Sequence, residues 1–311
     1  DESISQNSVY NSQSEKNNDF IVELDETLKS KEIEIVGIYD PSENSVTIDM
    51  WRNSDGRKIL DLFNKVQKID LSKDSKEILN ILLLTNSYFP SKNISNEQFL
   101  KIKHEWLLKS SDLDLIEEYL IKNKEIKNSD ILIEYLVDEY LSKSELEKAC
   151  SIFSNINYPS ENNYLSKFHI YCLINDNKRE EAQLQFDLKT ELGFKDEFFE
   201  KKFNYLMEYI SAIDETTSEK SILNFHLSHR TNPNFVFEPD ASTSKKIWRY
   251  LSTSNLLTNI ESIDLEDIQK ILSIEKATHE GNYTEEELFD LYKRFQFNIN
   301  QLLNIKQSYK L

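Results

Sequence analysis

His226 and His229, in the run His-Leu-Ser-His, are the closest approach to a ligand pair in this sequence. On a helix, three-residue spacing puts both imidazoles on one face, with Asp214 or Glu219 upstream as further donors. A zinc site needs three or four ligands and hydrogen-bond partners that orient them. No His-Glu-x-x-His spacing and no clustered cysteine accompanies the pair, so no metal ligand is assigned and the two read as solvated or helix-capping. His104, His169 and His279 stand alone within helical patterns and read as packing or surface residues.

The carboxylates Asp112, Asp114, Glu117 and Glu118, and the run Glu285 to Glu287, are dense enough to suggest acid–base pairs. Such chemistry needs one carboxyl in a dry pocket, its pKa pushed away from that of its partner. Acidic residues in a first helical turn, complementing the helix dipole, account for both runs more simply. The four glycines, at 37, 56, 193 and 281, are too far apart to build a phosphate-cradling loop. No Gly-x-Ser-x-Gly elbow is present. No catalytic residue and no cofactor are therefore assigned.

Two further sets of residues carry expectations. Cys150 and Cys172 are the only cysteines. They fall near the ends of successive predicted helices, with a turn around Tyr158-Pro159 between them, where antiparallel neighbours lie about 8–10 Å apart. A disulfide across them is one reading; two buried thiols in a reducing compartment is the other. The second set is aromatic: 17 Phe, 15 Tyr and 3 Trp exceed the needs of thin helical-hairpin cores. Tyr119, Tyr135, Tyr140, Tyr205 and Tyr209 are candidates for a groove that holds a partner, because Tyr supplies contact area at low entropic cost. Trp106, Phe168, Phe186 and Phe203 belong to the core.

What must position these residues is a chain of 311 residues with 37 Lys+Arg against 55 Asp+Glu. A net charge of −18 opposes phosphate-backbone contacts and excludes nucleic acid as a partner. Apolar runs such as Ile81–Leu84 fall far short of the roughly 20 residues of a membrane span, so no insertion is expected. Residues 1–19 are almost entirely polar and predict a disordered leader. A start at Asp1 fits an internal fragment or a mature chain whose signal peptide is gone.

Between 20 and 50 the periodicity is poor: Glu32–Val36 alternates briefly and Val46–Ile48 is β-branched, which suggests short extended pieces. From Trp51 the period becomes helical. Ser95…Gln98, Ser144…Glu147 and Thr284…Glu287 read as capping boxes, and Gly193 and Gly281 as helix C-caps. Leu108–Ile116 can be laid over Leu141–Ala149, 33 residues on, and over Leu173–Ala182 with one insertion. That period predicts an all-α chain whose segment 51–230 is an α-solenoid of stacked αα-hairpins, tetratricopeptide-like but lacking the tetratricopeptide consensus. A Pro-containing packed loop follows at 231–243, then a C-terminal helical segment at 244–311.

The chain also resembles a family of long exported alphaproteobacterial helical-repeat proteins, some of them labelled antifreeze-like. The motifs are Asp49-Met50-Trp51-Arg52, Ile81–Thr85 ahead of a proline, Ala149-Cys150, Ile170-Tyr171-Cys172-Leu173, and Leu288, Leu291, Tyr292 and Phe297. The resemblance covers roughly 48–297 and implies an envelope location, a helical-repeat fold and a chain that corresponds to part of a longer one. It supplies no catalytic residues. An antifreeze helix needs long Ala-rich faces, and Ala occurs here only at 149, 182, 212, 241 and 277. The expected function is a non-enzymatic interaction or scaffolding protein of the cell envelope that binds another protein through its repeat surface, exported and periplasmic, with a cytoplasmic location as the alternative. The alternative is an enzyme or carbohydrate-binding module whose site is assembled from dispersed residues.

Overall fold

A computed structural model describes residues 35–124, 126, 128–156, 161–240, 242–295 and 303. The leader at 1–19, the segment 20–34, the turn at Tyr158-Pro159 and Phe297 lie outside the described residues. Among those described there are thirteen α-helices, one 3-10 helix at Ile260–Ser262 and no strand. The chain is all-α. Of the extended pieces expected before residue 50, residues 32–34 lie outside the described residues and Val46–Ile48 forms no strand; the one bridge from this segment joins Tyr39 to Thr85.

The helices are α1 Gly56–Val66, α2 Lys73–Leu84, α3 Asn96–Ser110, α4 Leu113–Lys122, α5 Asp130–Ser142, α6 Leu146–Asn155 and α7 Asn163–Asn175. They continue with α8 Arg179–Glu191, α9 Glu197–Leu206, α10 Ile222–Arg230, α11 Lys245–Thr253, α12 Ile268–His279 and α13 Glu285–Lys293. Side chains start them where orphan N–H groups need acceptors. Ser95 with Gln98 and Thr284 with Glu287 form complete capping boxes. Ser144 does not. It ends α5 in the left-handed conformation, Glu145 takes the N-cap position of α6, and the Ser144 hydroxyl turns to Thr253 and Ser254 at the end of α11. A residue needed to close one helix is not free to cap the next.

The helix starts keep a common register. α4, α6 and α8 begin at Leu113, Leu146 and Arg179, each 33 residues after the last, and α3, α5, α7 and α9 begin at Asn96, Asp130, Asn163 and Glu197. The turn inside each pair holds a left-handed residue at Ser111, Ser144 and Asn177. At the latter two the next N–H reaches back five residues, Glu145 to Tyr140 O and Lys178 to Leu173 O, closing the preceding helix with a Schellman turn. After α9 the pattern breaks. Residues 210–219 are irregular, and Nζ of the buried Lys202 donates to the Asp214 carbonyl at 2.5 Å.

α5 is the centre of the molecule. It packs on α3, α4, α6, α7, α10 and α11, and Leu132, Ile133, Leu136, Val137 and Leu141 are completely buried. A helix whose apolar side chains reach around most of its circumference has to be enclosed, and its carboxylates Asp138 and Glu139 need partners. α10 helps to enclose it, with every residue from Ile222 to Ser228 buried. α11 adds charge: Lys246 meets Asp138 at 2.8 Å and Arg249 meets Glu139 at 2.5 Å, both on α5. Phe235 and Phe237 of the Pro-containing loop pack their edges on Phe225. The main core is therefore continuous from Val36 to Leu251, across the loop at 231–243. A second, smaller core joins Trp248 of α11 to Ile260, Ile263, Ile271, Ile274, Tyr283 and Leu291.

Candidate functional site

The two histidines singled out by spacing converge, but on a phenol. α10 carries His226 and His229 one turn apart, and both Nδ1 atoms lie 2.8 Å from the Tyr250 hydroxyl of α11. The other ring nitrogen of His226, Nε2, lies 2.7 Å from the Tyr171 hydroxyl of α7. A phenol has one proton to give, so Tyr250 donates to at most one Nδ1, and at least one of the two rings carries its proton on Nδ1 and donates to the phenol oxygen. Burial, with the neighbouring Arg230 charge, pushes the His226 pKa down to about 3, and the same two causes lower that of His229. His226 is thus neutral and enclosed, which corrects the expectation of a solvated or capping pair. Spacing shows that two residues share a face, not that the face is buried.

Among the described residues no group of three or more His, Cys, Asp or Glu side chains is arranged to hold a metal ion. The carboxylate runs act where they stand. Asp112 caps α4 by accepting from Leu115 N, Glu117 accepts from the Tyr140 hydroxyl, Glu118 pairs with Lys122, and Glu285–Glu287 fill the first turn of α13.

Cys150 of α6 and Cys172 of α7 are joined by a disulfide, with Cα atoms 5.4 Å apart. The five tyrosines are not brought together. Tyr119 of α4 is completely buried, edge-on to His104 of α3, and Tyr140 is buried with its pKa raised to about 12 by burial and by Glu117. Tyr135 is half-buried beneath the Lys246 ammonium, Tyr205 is half-buried on α9, and Tyr209 is exposed with its hydroxyl on Gln183. The groove expected from them is corrected accordingly. Tyr119 and Tyr140 are core, and α11 covers the face of α5 on which Tyr135 sits.

Two residues that motif reading passed over stand out on burial. Lys103 has no exposed surface; its amine donates to the Val36 carbonyl at 2.5 Å and lies over the Phe89 and Phe99 rings. Burial pulls its pKa down to about 7. Lys202 is equally enclosed, over Phe198, with Asp214 3.9 Å away. Both had a visible signal: Phe99, Ile102, Lys103, Trp106 and Phe199, Lys202, Phe203 place each lysine on the apolar stripe of its helix. His104 follows Lys103, at the floor of a recess of about 520 Å³ between α3 and the start of α5, lined also by Glu97, Glu105, Asp130 and Leu108. Its Nε2 lacks a hydrogen-bond partner, and burial lowers its pKa to about 4.

No family model matches the chain, and no curated protein or solved structure is similar to it. No helix among the described residues is long and apolar enough to cross a membrane.

Proposed function

We propose that this chain is a non-enzymatic interaction or scaffolding protein of the cell envelope, built on a solenoid of αα-hairpins and binding another protein through that surface. The observation that carries the reading is the shared register of α3 to α9, in which helix starts and left-handed turns recur together. Stacked hairpins of this kind cannot bury their apolar faces alone; they serve mainly to present an extended surface. α10 and α11 occupy the face of α5, so the partner surface lies on the second helices of the hairpins. α8 and its C-cap residue leave Leu184, Leu188 and Leu192 exposed at four-residue spacing, and one-sided apolar exposure of this sort marks contact surfaces. The Cys150–Cys172 bridge and the motif resemblance support an oxidising, exported setting.

Cross-linking the full chain in native envelope fractions, followed by reconstitution with the captured protein in pure form, tests this. The expected result is a stoichiometric complex that survives gel filtration and is lost in the double variant Leu184→Asp, Leu188→Asp. A chain that migrates alone in those fractions, with no cross-linked species, contradicts it.

A further inference from the structure

The stretch Ile35–Tyr39 is held by its backbone on both sides. Three successive carbonyls each accept from a side chain of α3 or α4: Val36 O from Lys103 Nζ at 2.5 Å, Gly37 O from Asn123 Nδ2 at 3.0 Å and Ile38 O from Lys122 Nζ at 3.1 Å. Asn123 also accepts from the Gly37 N–H at 3.2 Å, so one carboxamide reads both polar groups of one peptide residue. On the other side the segment pairs with the backbone after α2. Ile38 and Tyr39 N–H donate to Leu84 O, and Asn86 N–H donates to Tyr39 O. Val36 and Ile38 are each 5% exposed. Between them the backbones approach so closely that a Cβ on Gly37 would lie 2.6 Å from Asn86 N and Leu84 O.

A loop that merely covers a core contributes apolar side chains and leaves its backbone to water. Here two helices direct three polar side chains at the backbone, one of them a lysine buried without a carboxylate. Main-chain hydrogen bonds combined with pockets for alternate side chains are how proteins bind extended peptides. The exposed turn through Ser42, Glu43 and Ser45 tethers the segment to the rest of the chain.

We propose that Lys103, Lys122 and Asn123, with the Leu84–Asn86 backbone, form a binding site for an extended peptide of the pattern β-branched–Gly–β-branched, filled in cis by residues 35–39. The partner it fits is a protein segment of that pattern, which displaces the resident strap. This deepens the interaction reading above by naming the chemistry of one partner segment. A short tether gives the resident strap an effective concentration of order millimolar, so a competitor binds the intact chain weakly.

Breaking the tether tests the site. A specific protease sequence is inserted in the turn at 42–45 of the full chain, the chain is cleaved, and the released N-terminal piece is removed by gel filtration. A fluorescent peptide of residues 34–40, Glu-Ile-Val-Gly-Ile-Tyr-Asp, is then titrated in. Saturable binding is expected after cleavage, at least tenfold tighter than to the uncleaved chain, reduced at least tenfold by Asn123→Leu and absent for a peptide carrying Gly37→Val. Three results overturn the proposal: no binding to a cleaved chain that keeps its helical circular dichroism, equal binding of the Gly37→Val peptide, or loss of the helical signal on cleavage, which would make the strap an integral part of the fold. Capture of a partner by the intact chain does not depend on this outcome, so the two readings fail separately.

Discussion

Lys103 makes stability depend on pH in a direction that can be worked out. Its amine has a pKa of about 7 in the folded chain and the ordinary 10.5 when unfolded. Between those values the unfolded chain holds a proton that the folded chain does not, so stability rises with pH through that window and is flat below it. Lys103→Met removes the dependence but strands the Val36 carbonyl, at a cost of about 1–3 kcal/mol. Urea unfolding of both proteins at pH 7.5 and pH 10 should therefore show the gap between them widening at the higher pH by roughly 1–4 kcal/mol. A constant gap would mean that the buried amine is charged throughout. His226 shifts in the same sense at lower pH. With a folded pKa of about 3 against an ordinary 6.5, it costs stability as the pH falls through that interval. His226→Leu takes one partner from each of Tyr171 and Tyr250, and should cost about 2–4 kcal/mol at neutral pH. If the network acts as a unit, a double-mutant cycle with Tyr250→Phe gives a coupling of about 1–3 kcal/mol, whereas additive effects would refute it.

Among the elements, α6 and α7 are the pair with a covalent tie. The Cys150–Cys172 bridge closes a separation of 22 residues. Reducing it should lower unfolding stability by about 3 kcal/mol, measured by urea titration with and without reductant. Thiol labelling of the denatured, unreduced chain should find no free sulfhydryl, and finding both would remove the bridge and much of the support for export. The same region shows what could be read from sequence. The polar turns at Ser111, Ser144 and Asn177 recur at a fixed offset because each pair must close one helix and restart the next within a few residues. Local chemistry of that kind is written in local residues, as are the capping boxes at Ser95 and Thr284. Ser144 departs from the capping-box pattern because its hydroxyl is satisfied by α11, more than a hundred residues away. The tyrosine groove failed for a related reason. Which face of α5 stays open depends on where α10 and α11 return, and no spacing within α5 records that. The convergence of His226 and His229 on Tyr250 was half legible: the shared face was visible, while the phenol belongs to another helix.

At the scale of the whole molecule, the central helix is covered by helices from later in the chain: buried α10 and basic α11 both lie on α5. On the function proposed above, this closure belongs to the cooperative core and partners engage other surfaces. A displaceable helix would open locally, with a free energy well below that of global unfolding, whereas a core helix opens only when the whole chain does. Native-state hydrogen exchange, resolved amide by amide across a series of low urea concentrations, separates these cases most directly. The predicted result is that Phe225–Ser228 of α10 and Leu136–Tyr140 of α5 exchange with the same free energy and the same urea dependence, merging with global unfolding. Exchange of the α10 amides at a free energy several kcal/mol lower than those of α5, with little urea dependence, would contradict it.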